Sequence, residues 1–141
     1  MTYFEALYGG QHYEISQRGG DTKAGRMNGN IFLAALIILL LIDIILIGLA
    51  LDNVFRNELT ANIHRWFGEM SGRSIGKLLA IVLFAVLYFV IIKTIGSESN
   101  YNRLVNNFMQ YPEEVKEKAK WKALIPFGIL IVVLMISVFL K

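Results

Sequence analysis

The chain contains no cysteine and only two histidines among its 141 residues. The absence of cysteine excludes disulfides, thiolate metal sites and cysteine nucleophiles, and it leaves the redox compartment of the protein undetermined. His12 and His64 are separated by a long apolar run, which would place them on opposite sides of a membrane. Because they cannot share a haem or a metal ion in that position, the sequence predicts no metal site and no cofactor.

The sequence also lacks the motifs that carry most enzyme chemistry. It has no glycine-rich phosphate loop after a strand, no nucleophile elbow and no paired carboxylates in a plausible pocket. The adjacent acids Glu113 and Glu114 follow Pro112, a pattern typical of the first turn of a helix, where acidic side chains interact favourably with the helix dipole. We therefore expect a protein that is not an enzyme.

Apolar residues are abundant: they make up 55% of the sequence and give a mean hydropathy of +0.52. Three runs, 31–51, 75–95 and 123–140, are long enough to cross a bilayer, because about 20 helical residues span its hydrocarbon core. The predicted fold class is an all-α integral membrane protein with three transmembrane helices, an outer amphipathic interfacial helix and a cytoplasmic helical loop. A cytoplasmic N-terminal arm, 1–30, precedes the three-span membrane domain, 31–141.

The three spans divide the basic residues unequally. Nine lie on the side of the arm and the second loop, and five lie on the side of the first loop and the C-terminus. The positive-inside rule then predicts a cytoplasmic N-terminus and an outward C-terminus, which we expect in a bacterial inner membrane. The nine are Arg18, Lys23, Arg26, Lys93, Arg103, Lys116, Lys118, Lys120 and Lys122, and the five are Arg56, Arg65, Arg73, Lys77 and Lys141.

One acid interrupts the first apolar run, in the stretch LLLIDIILIG at 39–48. An acid at the centre of a membrane helix costs roughly 2.5–3.5 kcal/mol on insertion scales, which makes Asp43 a candidate functional residue. Ser137 in the third span has nearly the same predicted depth, and Tyr88 in the second span is somewhat shallower. We expect Asp43 to join helices by a hydrogen bond to such a hydroxyl or to a carbonyl group. The alternative is that Asp43 binds or relays a cation, although few other polar side chains could line a pathway.

The N-terminal arm begins with MTYFEALYGG. Thr2 and Glu5 have the spacing of a capping box and Gly9-Gly10 provides a stop, so the pattern predicts a short aromatic helix followed by a Gly-rich linker. So many rings on a solvated tail favour docking to a partner subunit. The alternative is that they fold back onto the protein itself. The predicted docking residues are Tyr3, Phe4, Tyr8 and Tyr13.

Between the first two spans, apolar residues recur every three or four positions from Phe55 to Met70. This pattern predicts an amphipathic helix, capped by Asp52 or Asn53, that lies in the membrane interface or, alternatively, packs on the outer surface of the protein. Small residues then follow at steps of four. If the helix continued, they would form a packing stripe, but several glycines favour a flexible corner instead. These residues are Gly68, Gly72, Gly76 and Ala80.

The second loop ends in a lysine-rich helix that runs into the third span. Its lysines are close enough to the membrane to attract anionic lipid head groups, although fixing the topology is their first expected role. The patch is short and interrupted by Glu117, so nucleic-acid binding is not expected. The residues of this predicted head-group contact are Lys116, Lys118, Lys120, Lys122 and Trp121.

Three functions are compatible with these features. The leading hypothesis is a small, non-catalytic subunit that stabilises a larger membrane complex, with other membrane subunits and anionic lipid as partners. The alternative is a homo-oligomeric ion or proton channel in which several copies bring Asp43 together. A weaker hypothesis is a holin-like permeabilising protein.

Overall fold

A computed structural model describes residues 1–140. About 85% of the chain is helical, and the described residues contain no strand. A π-helical turn (Glu5–Gly9) leads into α1 (Gly10–Gln17), followed by α2 (Ala24–Leu51), α3 (Asn53–Phe67), α4 (Gly72–Lys93), α5 (Glu98–Met109) and α6 (Glu113–Phe139). Helices α2, α4 and α6 are long and apolar enough to cross a membrane, which confirms the prediction of an all-helical chain with three candidate spans.

Helix α2 lies between the other two long helices. On one face its Phe32 contacts Phe127 of α6, with ring centroids 5.4 Å apart. Its Leu33 and Ala34 share a buried cluster with Ile91 of α4. Helices α2 and α6 both begin at the buried contacts with residues 1–17, where α4 ends, so α2 and α6 run in the same direction and α4 runs against both.

The arm packs onto α5 and the beginning of α6. Tyr8 and Phe108 are fully buried, and so are the small side chains Ala6 and Ala119. Together with the start of α2, these segments form one helical unit at one end of the long helices. We call this unit, residues 1–30 and 94–123, the head, and we call the opposite end, with α3 and the start of α4, the far end.

A single residue connects α2 to α3 at the far end. Asp52 has an extended backbone, and its carboxylate accepts a hydrogen bond from the backbone N–H of Val54 at 2.8 Å, which caps α3. The Arg56 guanidinium donates to the carbonyl oxygen of Leu49 at 2.7 Å, which satisfies a free carbonyl at the end of α2. No residue of α3 is buried by the rest of residues 1–140.

Two sequence-based boundaries differ from the structure. Gly9 and Gly10 do not end the first helix: both have helical backbone angles, and the chain continues through them into α1. Residues 24–30, which the sequence assigned to a linker, are the first turns of α2. The reason is packing, because a side chain at Gly9 would overlap the ring of Phe108, and one at Gly29 would overlap the ring of Tyr8.

Candidate functional site

Asp43 lies on the face of α2 that packs against α6. It follows Phe32 by about three helical turns, so it shares a face with the ring that contacts Phe127. Only 2% of Asp43 is exposed. Both carboxylate oxygens are buried, and neither has a hydrogen-bond partner among residues 1–140. A carboxyl group in such a position is costly unless a proton, a cation or a rearranged side chain satisfies it.

Ser137 is the other buried polar residue of the α2–α6 contact, with 3% of its surface exposed. It follows Phe127 by about three turns, which sets it near the level of Asp43 in the parallel pair. Its hydroxyl donates to the carbonyl oxygen of Val133 at 2.9 Å. The structure therefore brings Ser137 to the predicted level, but the expected hydrogen bond to Asp43 is not formed, because the hydroxyl proton is used within α6.

Tyr88 occupies a different part of the fold. Its ring stacks on Phe84 of the same helix, with centroids 5.9 Å apart and an interplanar angle of 10°. Phe84 packs against the cluster that Leu33 and Ala34 of α2 share with Ile91 of α4. The Tyr88 hydroxyl does not bond to Asp43, because neither carboxylate oxygen of Asp43 has a hydrogen-bond partner among residues 1–140.

The aromatic residues of the arm pack within the chain itself, as the alternative interpretation of the arm required. Tyr8 is fully buried, and Tyr3 and Phe4 pack against the same apolar cluster. The Tyr3 hydroxyl donates to the carbonyl oxygen of Ala123 in α6 at 3.3 Å. Tyr13 lies nearer the surface, where its hydroxyl donates to Glu113 at 3.3 Å. Docking of these rings to a partner stays a prediction, and Tyr8 offers no surface for it in this conformation.

A buried polar junction connects the arm to α2, and the sequence interpretation missed it. The Tyr8 hydroxyl donates to Oδ1 of Asn30 at 2.8 Å, and the Tyr8 ring meets Tyr101 of α5 edge to face at 5.9 Å. Glycine makes room for both groups. A Cβ at Gly29 would lie 2.5 Å from the Tyr8 ring, and one at Gly96 would overlap the Asn30 amide. Only glycine fits these two positions without displacing a buried side chain.

The signal for this junction was present in the sequence. Gly25 and Gly29 are four residues apart directly before the first apolar run, a spacing that places both on one helix face and permits close approach of another backbone or ring. Burial raises the pKa of the Tyr8 hydroxyl, and the neighbouring Tyr3 raises it further, so the hydroxyl stays protonated and available as a donor to Asn30.

Glu5 forms a second polar junction within the head. Its carboxylate accepts hydrogen bonds from the backbone N–H of Thr2 at 2.7 Å, from the Tyr111 hydroxyl at 3.2 Å and from the Asn107 amide at 3.4 Å. The Thr2 hydroxyl accepts in return from the backbone N–H of Glu5 at 3.2 Å, which completes the capping box. These bonds, led by the one from Thr2, lower the pKa of Glu5, although burial opposes them.

The small residues of the predicted stripe do not pack within the chain. Gly68 ends α3 with a φ of 59°, so no continuous helix carries all four positions. Gly72, Gly76 and Ala80 belong to α4 and are exposed. A side chain at Gly72 or Gly76 would meet no described atom within 4 Å.

The four lysines of α6 divide into two pairs. Lys116 and Lys120 line a cavity beside α1, and Trp121 borders the same cavity. Lys118 and Lys122 lie on the other flank, where Lys122 donates to the carbonyl oxygen of Met1 at 2.6 Å. The buried residues Ala119 and Ala123 separate the pairs beneath the arm.

The two histidines belong to opposite ends of the molecule. His12 lies in the head, with its Nδ1 atom 3.3 Å from the Tyr101 hydroxyl, and His64 is exposed on α3. Within residues 1–140, no group of three or more histidine, aspartate or glutamate side chains is close enough to hold a metal ion.

Comparisons of the chain with protein-family models, with curated proteins and with solved structures find no match.

Proposed function

We propose that this chain is a small, non-catalytic membrane subunit that holds a transmembrane helix of a partner against the far half of α4. The observation that carries the proposal is the change in packing along α4. Ile91 and Phe84 pack against α2, whereas between Gly72 and Leu83 only Ile75 is buried. On α2, Ile44 and Ile45 lie in the half nearer the far end and are likewise exposed, so apolar surface of both helices is uncovered there.

The small residues of α4 favour a protein helix over lipid as the occupant of this space. Gly76 and Ala80 lie one turn apart on the same face, and they allow a second backbone to approach closely. A glycine inside a helix lowers helix stability by about 1 kcal/mol relative to alanine. Close packing of a partner helix would offset this loss of helix stability, whereas contact with fluid lipid chains would not.

Helix α3 supports the same placement of the far end. Its apolar side chains include Leu59, Ile63 and Trp66, and Trp66 is 78% exposed. Because α3 connects two helices that would cross the membrane, an uncovered apolar side with an exposed tryptophan suits a helix lying in the interface. We propose that placement for α3.

The test of the proposal is copurification from native membranes in mild detergent. Enlarging both small residues, with Gly76→Leu and Ala80→Leu in one chain, should block close approach and strongly reduce the yield of the partner subunit. Ala85 is exposed on the other side of α4, so Ala85→Leu is a matched control that should leave the yield unchanged. Equal yields from all three proteins would contradict the proposal.

An ion or proton channel is the second candidate, because Asp43 has two carboxylate oxygens without partners in the described chain. Two observations favour the subunit instead. Asp43 is enclosed between helices of one chain, rather than on a face that several copies could share, and its neighbours along the same face of α2 are Phe32, Leu36, Leu39 and Leu46. Conduction needs further polar groups along a path.

Flux into liposomes distinguishes the two functions. If the channel is the function, the wild-type protein conducts protons or cations, and Asp43→Asn and Asp43→Leu both abolish the flux, since neither side chain can carry a proton or balance a cation. Under the subunit hypothesis none of the three proteins conducts.

We further propose that the head is cytoplasmic, in a bacterial inner membrane. The support is the excess of basic residues on the head side, nine against five. The chain has no cysteine, so single cysteines at Asn106 of the head and Asn62 of α3, both exposed, report the orientation directly. In intact cells a membrane-impermeant thiol reagent should label position 62 and not position 106, and the reverse pattern would invert the topology.

A further inference from the structure

The cavity beside α1 lies where the head meets the apolar part of α6. It has a volume of about 310 Å³, and its walls come from α1 and from the first turns of α6. Three cations and two carboxylates line it, so its charge is positive overall. The charged lining residues are Arg18, Lys116, Lys120, Glu14 and Glu117.

The lining has one positive charge in excess, because the lysine pair faces a single remaining carboxylate, Glu117, once Arg18 and Glu14 are paired. Arg18 is paired with Glu14 at 2.7 Å, which neutralises both groups. Lys116 lies 5.4 Å above the Tyr13 ring and 3.9 Å from a carboxylate oxygen of Glu113, at the edge of salt-bridge distance. Among the residues that the structure describes, Lys120 forms no ion pair.

The cavity continues into an apolar groove along α6. Trp121 lines both the cavity and the groove. The groove has a volume of about 740 Å³ and runs along α6 from Trp121 to Val132 and Val133. Gly128 forms a notch in this groove, because a side chain there would meet no described atom within 4 Å. Every other residue that lines the groove is apolar; these are Leu124, Ile125, Phe127 and Ile129.

We propose that the cavity and the groove together bind one anionic phospholipid. Lys116 and Lys120 contact the phosphate and the acidic head group, Trp121 lies at the level of the ester region, and an acyl chain fills the notch at Gly128. Two features select this occupant. The groove begins at a surplus of positive charge, and it is apolar throughout the part of α6 that would lie in the membrane. A partner helix would fill the apolar notch without using the cations.

Fluorescence quenching by brominated lipids tests this proposal, because the chain has only two tryptophans and Trp66→Phe leaves Trp121 as the sole reporter. The full-length Trp66→Phe protein is placed in nanodiscs of phosphatidylcholine that contain increasing fractions of chain-brominated phosphatidylglycerol or chain-brominated phosphatidylcholine. We expect the anionic lipid to quench Trp121 at a several-fold lower mole fraction than the zwitterionic lipid.

Two pairs of lysine substitutions separate a site from general attraction to an anionic surface. Lys116→Gln with Lys120→Gln should weaken the preference by about fivefold for each charge removed. Lys118→Gln with Lys122→Gln removes the same charge from the other flank of α6 and should preserve the preference. If loss of the Lys122 bond to Met1 prevents folding, the single variants Lys120→Gln and Lys118→Gln make the same comparison.

Four results would overturn the proposal. Equal loss of preference in the two lysine pairs would show that the helix attracts anionic lipid without a site, and absence of any preference in the parent protein would show that no such site exists. The third concerns the notch. Gly128→Leu should reduce quenching by the chain-brominated anionic lipid, and unchanged quenching would mean that no acyl chain lies there. Weak quenching by both lipids, with Trp121 shielded from them by a copurifying helix, would identify a protein as the occupant instead.

Discussion

The two ends of the long helices are packed in different ways. In the head, buried polar groups have partners: Tyr8 bonds to Asn30, and Glu5 accepts three hydrogen bonds. Toward the far end, only Ile75 is buried between Gly72 and Leu83 of α4, and Asp43, deeper in the spans, has no partner within the described residues. The glycines differ in the same way, since Gly29 is enclosed by the Tyr8 ring and Gly76 faces open space.

This difference indicates which end depends on other molecules. A buried polar group that is satisfied within the chain contributes to the stability of the chain alone, whereas an unsatisfied one costs free energy. The polar contacts of the head therefore need no other molecule. The far end has small residues without neighbours, and the spans contain an acid without a partner. Both features become favourable only when another helix, a proton or an ion is added.

The largest expected effect comes from replacing one glycine by alanine in each of the two environments. Gly29→Ala places a methyl group 2.5 Å from the Tyr8 ring, so the ring must move and we expect a loss of about 1–3 kcal/mol in the free energy of unfolding. Gly76→Ala adds a methyl group in open space and should stabilise α4 by about 1 kcal/mol. Thermal unfolding in detergent, followed by circular dichroism, measures both, and a similar effect at the two positions would remove the distinction between the ends.

The second prediction concerns Asp43 in the isolated chain. Asp43→Leu removes a buried carboxyl group that has no partner among residues 1–140, so it should raise the free energy of unfolding by about 1–3 kcal/mol. Asp43→Asn keeps a buried polar group of the same shape and should change stability much less. Destabilisation by leucine in the purified chain would mean that Asp43 is satisfied within the fold, and the far end would then resemble the head.

Much of this comparison could not be predicted from the sequence. Three apolar runs of sufficient length predicted the long helices, because bilayer thickness alone sets that requirement. The sequence predicted a short helix followed by a linker in residues 1–30, whereas residues 24–30 belong to α2. A glycine-rich segment is compatible with a flexible linker and also with a tight contact. Only the position of the Tyr8 ring against Gly29 in the structure shows that this segment forms a tight contact.

The candidate site was predictable in part for a similar reason. Counting residues from the edge of each span placed Asp43 and Ser137 at about the same depth, and the structure buries both side chains. Depth does not specify rotamers, so it could not show that Ser137 uses its proton on Val133. Depth alone also could not show that the Tyr88 hydroxyl does not bond to Asp43, because that depends on which face of α2 each neighbour occupies.

A smaller effect is expected within the head. Tyr8→Phe keeps the ring and its edge-to-face contact but leaves Oδ1 of the buried Asn30 without its donor, which should cost about 1–2 kcal/mol. Tyr13→Phe is a matched control, because its hydroxyl bonds to Glu113 at an exposed position and should contribute only a few tenths of a kcal/mol. The same unfolding measurement compares them, and equal losses would show that burial of the junction contributes nothing.

The smallest expected effect is a pH dependence from Glu5. Its pKa is lowered from 4.5 in the folded head, chiefly by the hydrogen bond from the Thr2 backbone, so the ionised form is favoured by folding. The corresponding stability is fully present above pH 4.5 and is lost as the pH falls through the lower pKa of the folded state. The unfolding temperature of the wild-type chain should therefore fall more between pH 6 and pH 3 than that of Glu5→Gln, whose amide cannot be protonated in this range. Glu14→Gln, which alters an exposed pair with Arg18, should retain the wild-type slope. If Glu5→Gln instead follows the wild-type slope throughout, the charge of the Glu5 carboxylate does not stabilise the arm. Of the two polar junctions in the head, only the one at Asn30 would then be expected to contribute to stability.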